Sequence, residues 1–150
     1  MEIHNVRLSK KEYFLDMLTK VASRGTCIRR KVAAIITDQD GNIIATGYNG
    51  TPRNFDHCID NPCAGASDRP GDTSKCMALH AEQNALLHCR ELREAHTIYC
   101  SCLPCFVCSK MLANTNIKVV ICAEDYSDKT GLNVLLEAGM SVEITGILIG

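Results

Sequence analysis

The chain has 150 residues, 46 % of them hydrophobic, and a formal net charge of −1. That is one domain with room for a core, residues 1–150, and it excludes an intrinsically disordered chain. The charge argues against a long polyanion as partner, because nucleic-acid binders carry a basic surplus, but a single nucleotide needs only one or two local cations. Met1-Glu2-Ile3-His4-Asn5 lacks the charged and apolar regions of a secretory signal. No apolar run approaches the roughly 20 residues of a membrane helix, so no membrane partner is expected. Ten cysteines in a chain expected to be cytoplasmic read as metal ligands and reduced thiols rather than disulfides.

Residues 8 to 23 are predicted helical, with Ser9 as cap, Glu12 three residues on, and an apolar stripe of Tyr13, Leu15, Leu18, Val21 and Ala22. Val32 to Thr37 is a β-branched strand. Asp40-Gly41 signals a turn, and Asn42 to Tyr48 completes a hairpin. Residues 49 to 79 hold three of the four prolines and little periodicity. A loop of that length in a compact domain is functional or pinned. A helix is predicted from His80 to Leu92, a strand over Thr97 to Ser101, and a helix over Cys105 to Ala113 with Pro104 at its start. A strand over Lys118 to Cys122, a helix over Lys129 to Glu137 ending at Gly139, and a strand over Val142 to Ile147 follow. A hairpin followed by alternating helices and strands is an α/β domain with a mixed sheet and helices on both faces.

His80-Ala81-Glu82 and Pro104-Cys105-Phe106-Val107-Cys108 carry the chemistry. One imidazole and two thiolates hold a tetrahedral Zn²⁺ with one position open for water. Cys105 and Cys108 open a helix, where free amides and the dipole favour thiolate. Glu82, two residues past His80, would point about 200° away from it in an ideal helix, so His80 is expected at the irregular helix entry. Glu82 is then free to move protons between water, a ring nitrogen and a leaving amine. His-x-Glu followed by Pro-Cys-x-x-Cys is the signature of zinc nucleobase deaminases. A closed, purely structural zinc site is the rival reading, and the carboxylate beside the ligands argues against it. The long loop adds Cys27, Cys58, Cys63 and Cys76. Four thiolates would close a second, structural zinc site there. His57 is a substitute ligand, and the other reading is buried reduced cysteines. Cys89, Cys100, Cys102 and Cys122 fall in helix or strand patterns and read as core.

With these motifs the sequence resembles the cytidine and deoxycytidylate deaminase superfamily. Thr46-Gly47-Tyr48-Asn49-Gly50-Thr51-Pro52 is similar to the Gly-Tyr-Asn-Gly-x-Pro stretch of its deoxycytidylate deaminase branch, and Ser23-Arg24-Gly25-Thr26-Cys27 and His80-Ala81-Glu82-Gln83-Asn84-Ala85 also fit. The resemblance implies a three-layer α/β/α cytidine deaminase-like fold with a mixed five-stranded sheet. It implies zinc-dependent conversion of dCMP to dUMP in a homo-oligomer, a hexamer foremost, activated by dCTP and inhibited by dTTP, with Mg²⁺ beside the effector triphosphate. It gives Asn49 the sugar hydroxyl, Arg24 the substrate phosphate with Lys129 as runner-up, and Ala81 and Ser101 places at the substrate. Tyr126, after the fourth strand, reads either as packing on the base or as an ordinary core or surface residue. Tyr48, Gly50 and Asn84 are tied to the effector. From its spacing alone, four past His80, Asn84 reads as bonding back to the Asn49 loop or as an ordinary polar helix residue. The Arg29-Arg30-Lys31 run reads as a solvated face, or with one member reaching an effector triphosphate. Cys27 and Cys58 fall where some members place structural zinc ligands. The chain departs from the pattern at Ala33, where glycine is common, and at Cys100-Ser101-Cys102-Leu103. Rival readings are a tRNA adenosine deaminase of the same superfamily and a catalytically silent, zinc-stabilised nucleotide-binding module. The Gly-Tyr-Asn-Gly segment and the charge balance speak against the first, and Glu82 against the second.

Overall fold

The computed structural model describes residues 6–69 and 72–146. The end of the last predicted strand, at Ile147, lies outside them. The first helix, α1 (Lys10–Ala22), is capped by the Ser9 hydroxyl, which accepts from the Glu12 backbone N–H at 3.1 Å. Its inward face is Phe14, Leu15, Leu18 and Ala22, with Val21 packed beside it, which is the predicted stripe except at Tyr13. Tyr13 is 48 % exposed, because Phe14 takes the inward place and packs on the Tyr99 ring at a centroid distance of 4.7 Å.

Strands β1 (Ala33–Thr37) and β2 (Ile43–Tyr48) form the antiparallel hairpin. The Asp38 carboxylate ties the turn by accepting from the Asp40 and Asn42 amides, and Gly41 supplies the positive φ. After the long loop come α2 (Ala81–His88), β3 (Thr97–Cys102), α3 (Phe106–Ala113), β4 (Val119–Glu124), α4 (Thr130–Glu137) and β5 (Ser141–Ile144). Helix α2 stops four residues short of its predicted end. The chain turns extended at Cys89 and adds one 3₁₀ turn over Leu92–Glu94. Cys89 and Leu92 still reach the core, by that turn rather than along a helix face.

The five strands run in the order β2-β1-β3-β4-β5. Strand β1 is antiparallel to both β2 and β3, and β3–β4 and β4–β5 are parallel. Alternation along the strands feeds two separate cores. Ala33, Ile35, Tyr99 and Ile121 face α1, whereas Ala34, Ile36, Ile98, Cys100, Val120 and Cys122 face the layer of α2, α3 and α4. This is the expected three-layer arrangement around a mixed five-stranded sheet. Two close approaches fix that second layer. A Cβ on Gly47 of β2 would lie 2.3 Å from the Ala81 carbonyl oxygen and the Ala85 nitrogen, so only glycine lets α2 lie this near the sheet. A Cβ on Gly131 of α4 would lie 2.3 Å from the Pro104 carbonyl oxygen, which seats α4 on the start of α3. No helix of the described residues is long and apolar enough to cross a membrane.

Candidate active site and metal centre

Two helix starts meet above the C-terminal end of β3. His80 is the N-cap of α2, with extended backbone, and its amide is tied back by the Gln83 side chain at 2.8 Å. Because His80 precedes the first helical residue, its ring and the Glu82 side chain both reach one cavity, where helical phase alone would separate them. Cys105 is the N-cap of α3 and its sulfur accepts from the Cys108 amide. The His80 Nδ1 atom lies 3.4 Å from both the Cys105 and the Cys108 sulfur. A tetrahedral zinc bonded to nitrogen at about 2.05 Å and to sulfur at about 2.3 Å sets those atoms about 3.5 Å apart. The donor set therefore already has the spacing a zinc ion requires. Among the described residues it is the one group of three or more such side chains whose ligand atoms all lie within 4.8 Å of one another.

The electrostatics of the bare site fit a cation as well. Proton sharing with Cys108 holds the Cys105 thiol down to about 4, while the same contact and burial push Cys108 up. The Cys105 thiolate in turn raises His80. Glu82 is 7 % exposed, and burial raises its carboxyl above the ordinary range. A site crowded with groups competing for protons is relieved by a divalent ion.

The cavity beside these ligands holds about 570 Å³ and is lined by His80, Glu82 and Cys105 from the motifs and by Asn49 and Tyr126. Sequence reasoning placed all five at a site. It missed Cys102, Asp68 and Arg29 as wall residues. Cys102, the last residue of β3, lines the cavity, and burial pushes its thiol up to about 11. The Arg29-Arg30-Lys31 run was the one signal for Arg29, and nothing in the pattern marked Asp68.

Other expected residues lie elsewhere. Arg24 is exposed and is not part of the cavity wall, whereas Arg30 is. Arg30 pairs with Glu124 at 3.1 Å, both about half-exposed. Lys129 is engaged with Asp125 and with the Tyr126 carbonyl. The Ser101 hydroxyl accepts from the Ala33 amide at 2.8 Å and donates to the Ala33 carbonyl, extending the β1–β3 ladder on the α1 side of the sheet. Ala81 is buried against β2. Tyr48, Gly50 and Asn84 form a structural tie: the Asn84 amide donates to the Tyr48 carbonyl at 2.8 Å, and Gly50 pairs with Leu79 in a β-bridge. Asn49 is 7 % exposed. Its Oδ1 accepts from Val32 N–H and its Nδ2 donates to the Arg30 carbonyl, which clamps the segment carrying Arg30.

The four loop cysteines are neighbours without the compactness of the first site. Cys58 and Cys63 sulfurs lie 3.8 Å apart. The Met77 amide lowers Cys63, with help from Cys58 and Cys76, and burial raises Cys76. No three of the four bring their sulfurs within 4.8 Å of one another.

A mixed sheet between helical layers, with a zinc-spaced triad at two helix starts, is the arrangement of the cytidine deaminase-like fold. Residues 8–124 match the cytidine and deoxycytidylate deaminase zinc-binding region, and the chain belongs to that family. It is 38 % identical over 143 residues to a deoxycytidylate deaminase of Saccharomyces cerevisiae, covering 91 % of this chain and 45 % of that protein. It is also 38 % identical over 117 residues to the deoxycytidylate deaminase of Mycobacterium phage D29, covering 73 % of this chain and 91 % of that one. The crystal structure of dCMP deaminase from the cyanophage S-TIM5, in complex with dCMP and dUMP, superposes with a TM-score of 0.74. That pair is 31 % identical and covers 93 % of this chain and all of the other. The chain thus spans less than half the length of the yeast relative.

Proposed function

We propose that the protein deaminates dCMP hydrolytically, giving dUMP and ammonia. The observation that carries this reading is the buried Glu82 in one cavity with His80 and Cys105, beside a donor set already at zinc spacing. His80, Cys105 and Cys108 would hold the ion, which as a Lewis acid brings the pKa of water toward neutrality. Glu82 takes the proton from the attacking water and delivers it to N3, beside the carbon under attack. It then takes the proton of the hydroxyl newly placed on that carbon and passes it to the departing amine, and its burial favours holding a proton between the two transfers. Tyr126 flanks the base. Of the cavity's two arginines, Arg29 is spent on backbone carbonyls, so Arg30 is the cation for the phosphate. Its exposed pairing with Glu124 contributes little and exchanges readily for a dianion. The S-TIM5 protein, similar over its whole length, was solved with dCMP and dUMP, which supports the same substrate here.

The finer parts of the reading go with it. A second, structural zinc on Cys27, Cys58, Cys63 and Cys76 would draw together thiols that are already neighbours. Control by dCTP and dTTP, with Mg²⁺ on the triphosphate, a hexamer and a cytoplasmic setting rest on the family resemblance. The test is ammonia release from dCMP, deoxycytidine, cytidine and CMP, with and without dCTP. The reading expects dCMP to be the best substrate. Equal rates on dCMP and deoxycytidine would replace it with a nucleoside deaminase.

A further inference from the structure

We propose that Asp68 accepts a hydrogen bond from the 3′-hydroxyl of the substrate's deoxyribose and makes the enzyme selective for that hydroxyl. This rests on the nucleotide reading above. The Oδ2 atom of Asp68 is buried without a hydrogen-bond partner. Among the described residues, Thr26 Oγ1 is the one other buried side-chain polar atom in that condition. A buried, unpaired carboxylate oxygen is costly, and native proteins keep one where something else completes it. Asp68 lines the cavity that holds His80 and Glu82, so that partner is a ligand of this cavity. Its position is built. The Asp68 amide donates to the Gly65 carbonyl at 3.1 Å. The Arg29 guanidinium donates to the carbonyls of Gly65, Arg69 and Asp72 at 3.2, 2.7 and 2.8 Å, fastening the loop on both sides of Asp68.

Asn49 supplies the second half of the argument. Its oxygen is taken by the Val32 amide and one of its two N–H groups by the Arg30 carbonyl. One N–H remains, so Asn49 is set to donate to a sugar hydroxyl, while its Oδ1, already shared with the Val32 amide, is a neutral acceptor weaker than a carboxylate. The proton of that hydroxyl goes to the stronger acceptor. The donors on dCMP are the 4-amino group and the 3′-hydroxyl, since the phosphate dianion and the ring carbonyl only accept. The amino group is the one that leaves, at the end of the cavity held by Glu82 and His80. The remaining donor is the 3′-hydroxyl, and the acceptor without a partner is Asp68.

Ammonia release is measured for the zinc-loaded wild type, Asp68→Ala and Asp68→Asn on dCMP and on 2′,3′-dideoxycytidine 5′-monophosphate, which lacks the hydroxyl. The wild type should favour dCMP in kcat/KM by roughly ten- to a hundredfold, the range of a hydrogen bond to a charged group. Asp68→Ala should bring the ratio of the two substrates close to one, and Asp68→Asn, which keeps a carbonyl acceptor, should restore part of it. The dideoxy substrate reports whether the variant is folded and loaded. A wild type that treats both alike, or an Asp68→Ala that loses rate equally on both, overturns the assignment while leaving the deaminase reading intact. A wild type that releases ammonia from neither overturns both.

Discussion

The two cysteine-bearing regions of the described chain are held by different means. The His80, Cys105 and Cys108 donors stand on the first residues of two short helices, which Gly47 and Gly131 let pack tightly on their neighbours. Their positions are set by the core, and the zinc spacing exists before any ion arrives. Cys58, Cys63 and Cys76 stand on a loop held by isolated turns and by one arginine, and their sulfurs do not converge to the same degree. A site that must do chemistry has its geometry fixed by packing. On the reading proposed above, a site that only pins a loop would leave its last closure to the metal.

That contrast can be broken most forcefully at Glu82. Glu82→Gln should keep zinc and fold and lose about 10²–10⁴-fold in kcat, the share of a general acid–base. Near-normal turnover in a zinc-replete variant, read by ammonia release and metal analysis, would leave the pre-set triad without its proton carrier. Arg30→Ala should cost roughly ten- to a hundredfold on dCMP and little on deoxycytidine, since only the former offers a phosphate. Equal losses on both substrates would make Arg30 structural and return Arg24 and Lys129 as candidates. Gly47→Ala tests whether packing sets the triad. The new methyl meets backbone at 2.3 Å, and overpacking of this kind costs about 1–3 kcal/mol. Thermal unfolding should fall and zinc affinity with it. A variant with lowered Tm and unchanged zinc affinity would uncouple the two. The smallest effect on turnover is expected for Cys63→Ser, which should take zinc from two per chain to one while catalysis continues. A constant single zinc in wild type and variant would leave the loop cysteines as plain buried thiols.

The legible parts of the chain were those whose cause is local. Ser9 caps α1 because a hydroxyl before a first turn finds a free amide, and Asp40-Gly41 turns because glycine accepts positive φ. His80 at the helix entry followed from the angle between residues two apart. Tertiary causes were not legible. In the stripe of α1, Phe14 takes the place expected of Tyr13 because Tyr99, 85 positions on, receives it. Helix α2 ended early because Cys89 and Leu92 reach the core just as well from a bend, and periodicity does not tell the two apart. Ser101 looked like a substrate contact in a motif-bearing strand, yet the pleat turns it to the other side of the sheet, where Ala33 consumes its hydroxyl. Asp68 carried no signal, because what distinguishes it is the partner it lacks.

The grip of Arg29 on the loop has an evolutionary side. All three of its hydrogen bonds go to main-chain carbonyls, and every amino acid has a carbonyl. The fastening is indifferent to which side chains the loop displays. Substitutions between Gly65 and Asp72 can therefore be tried without unfastening the wall they stand on. A lineage that retains Arg29 is free to rewrite what this side of the cavity offers to a ligand, one side chain at a time, while the metal centre across from it stays as it is.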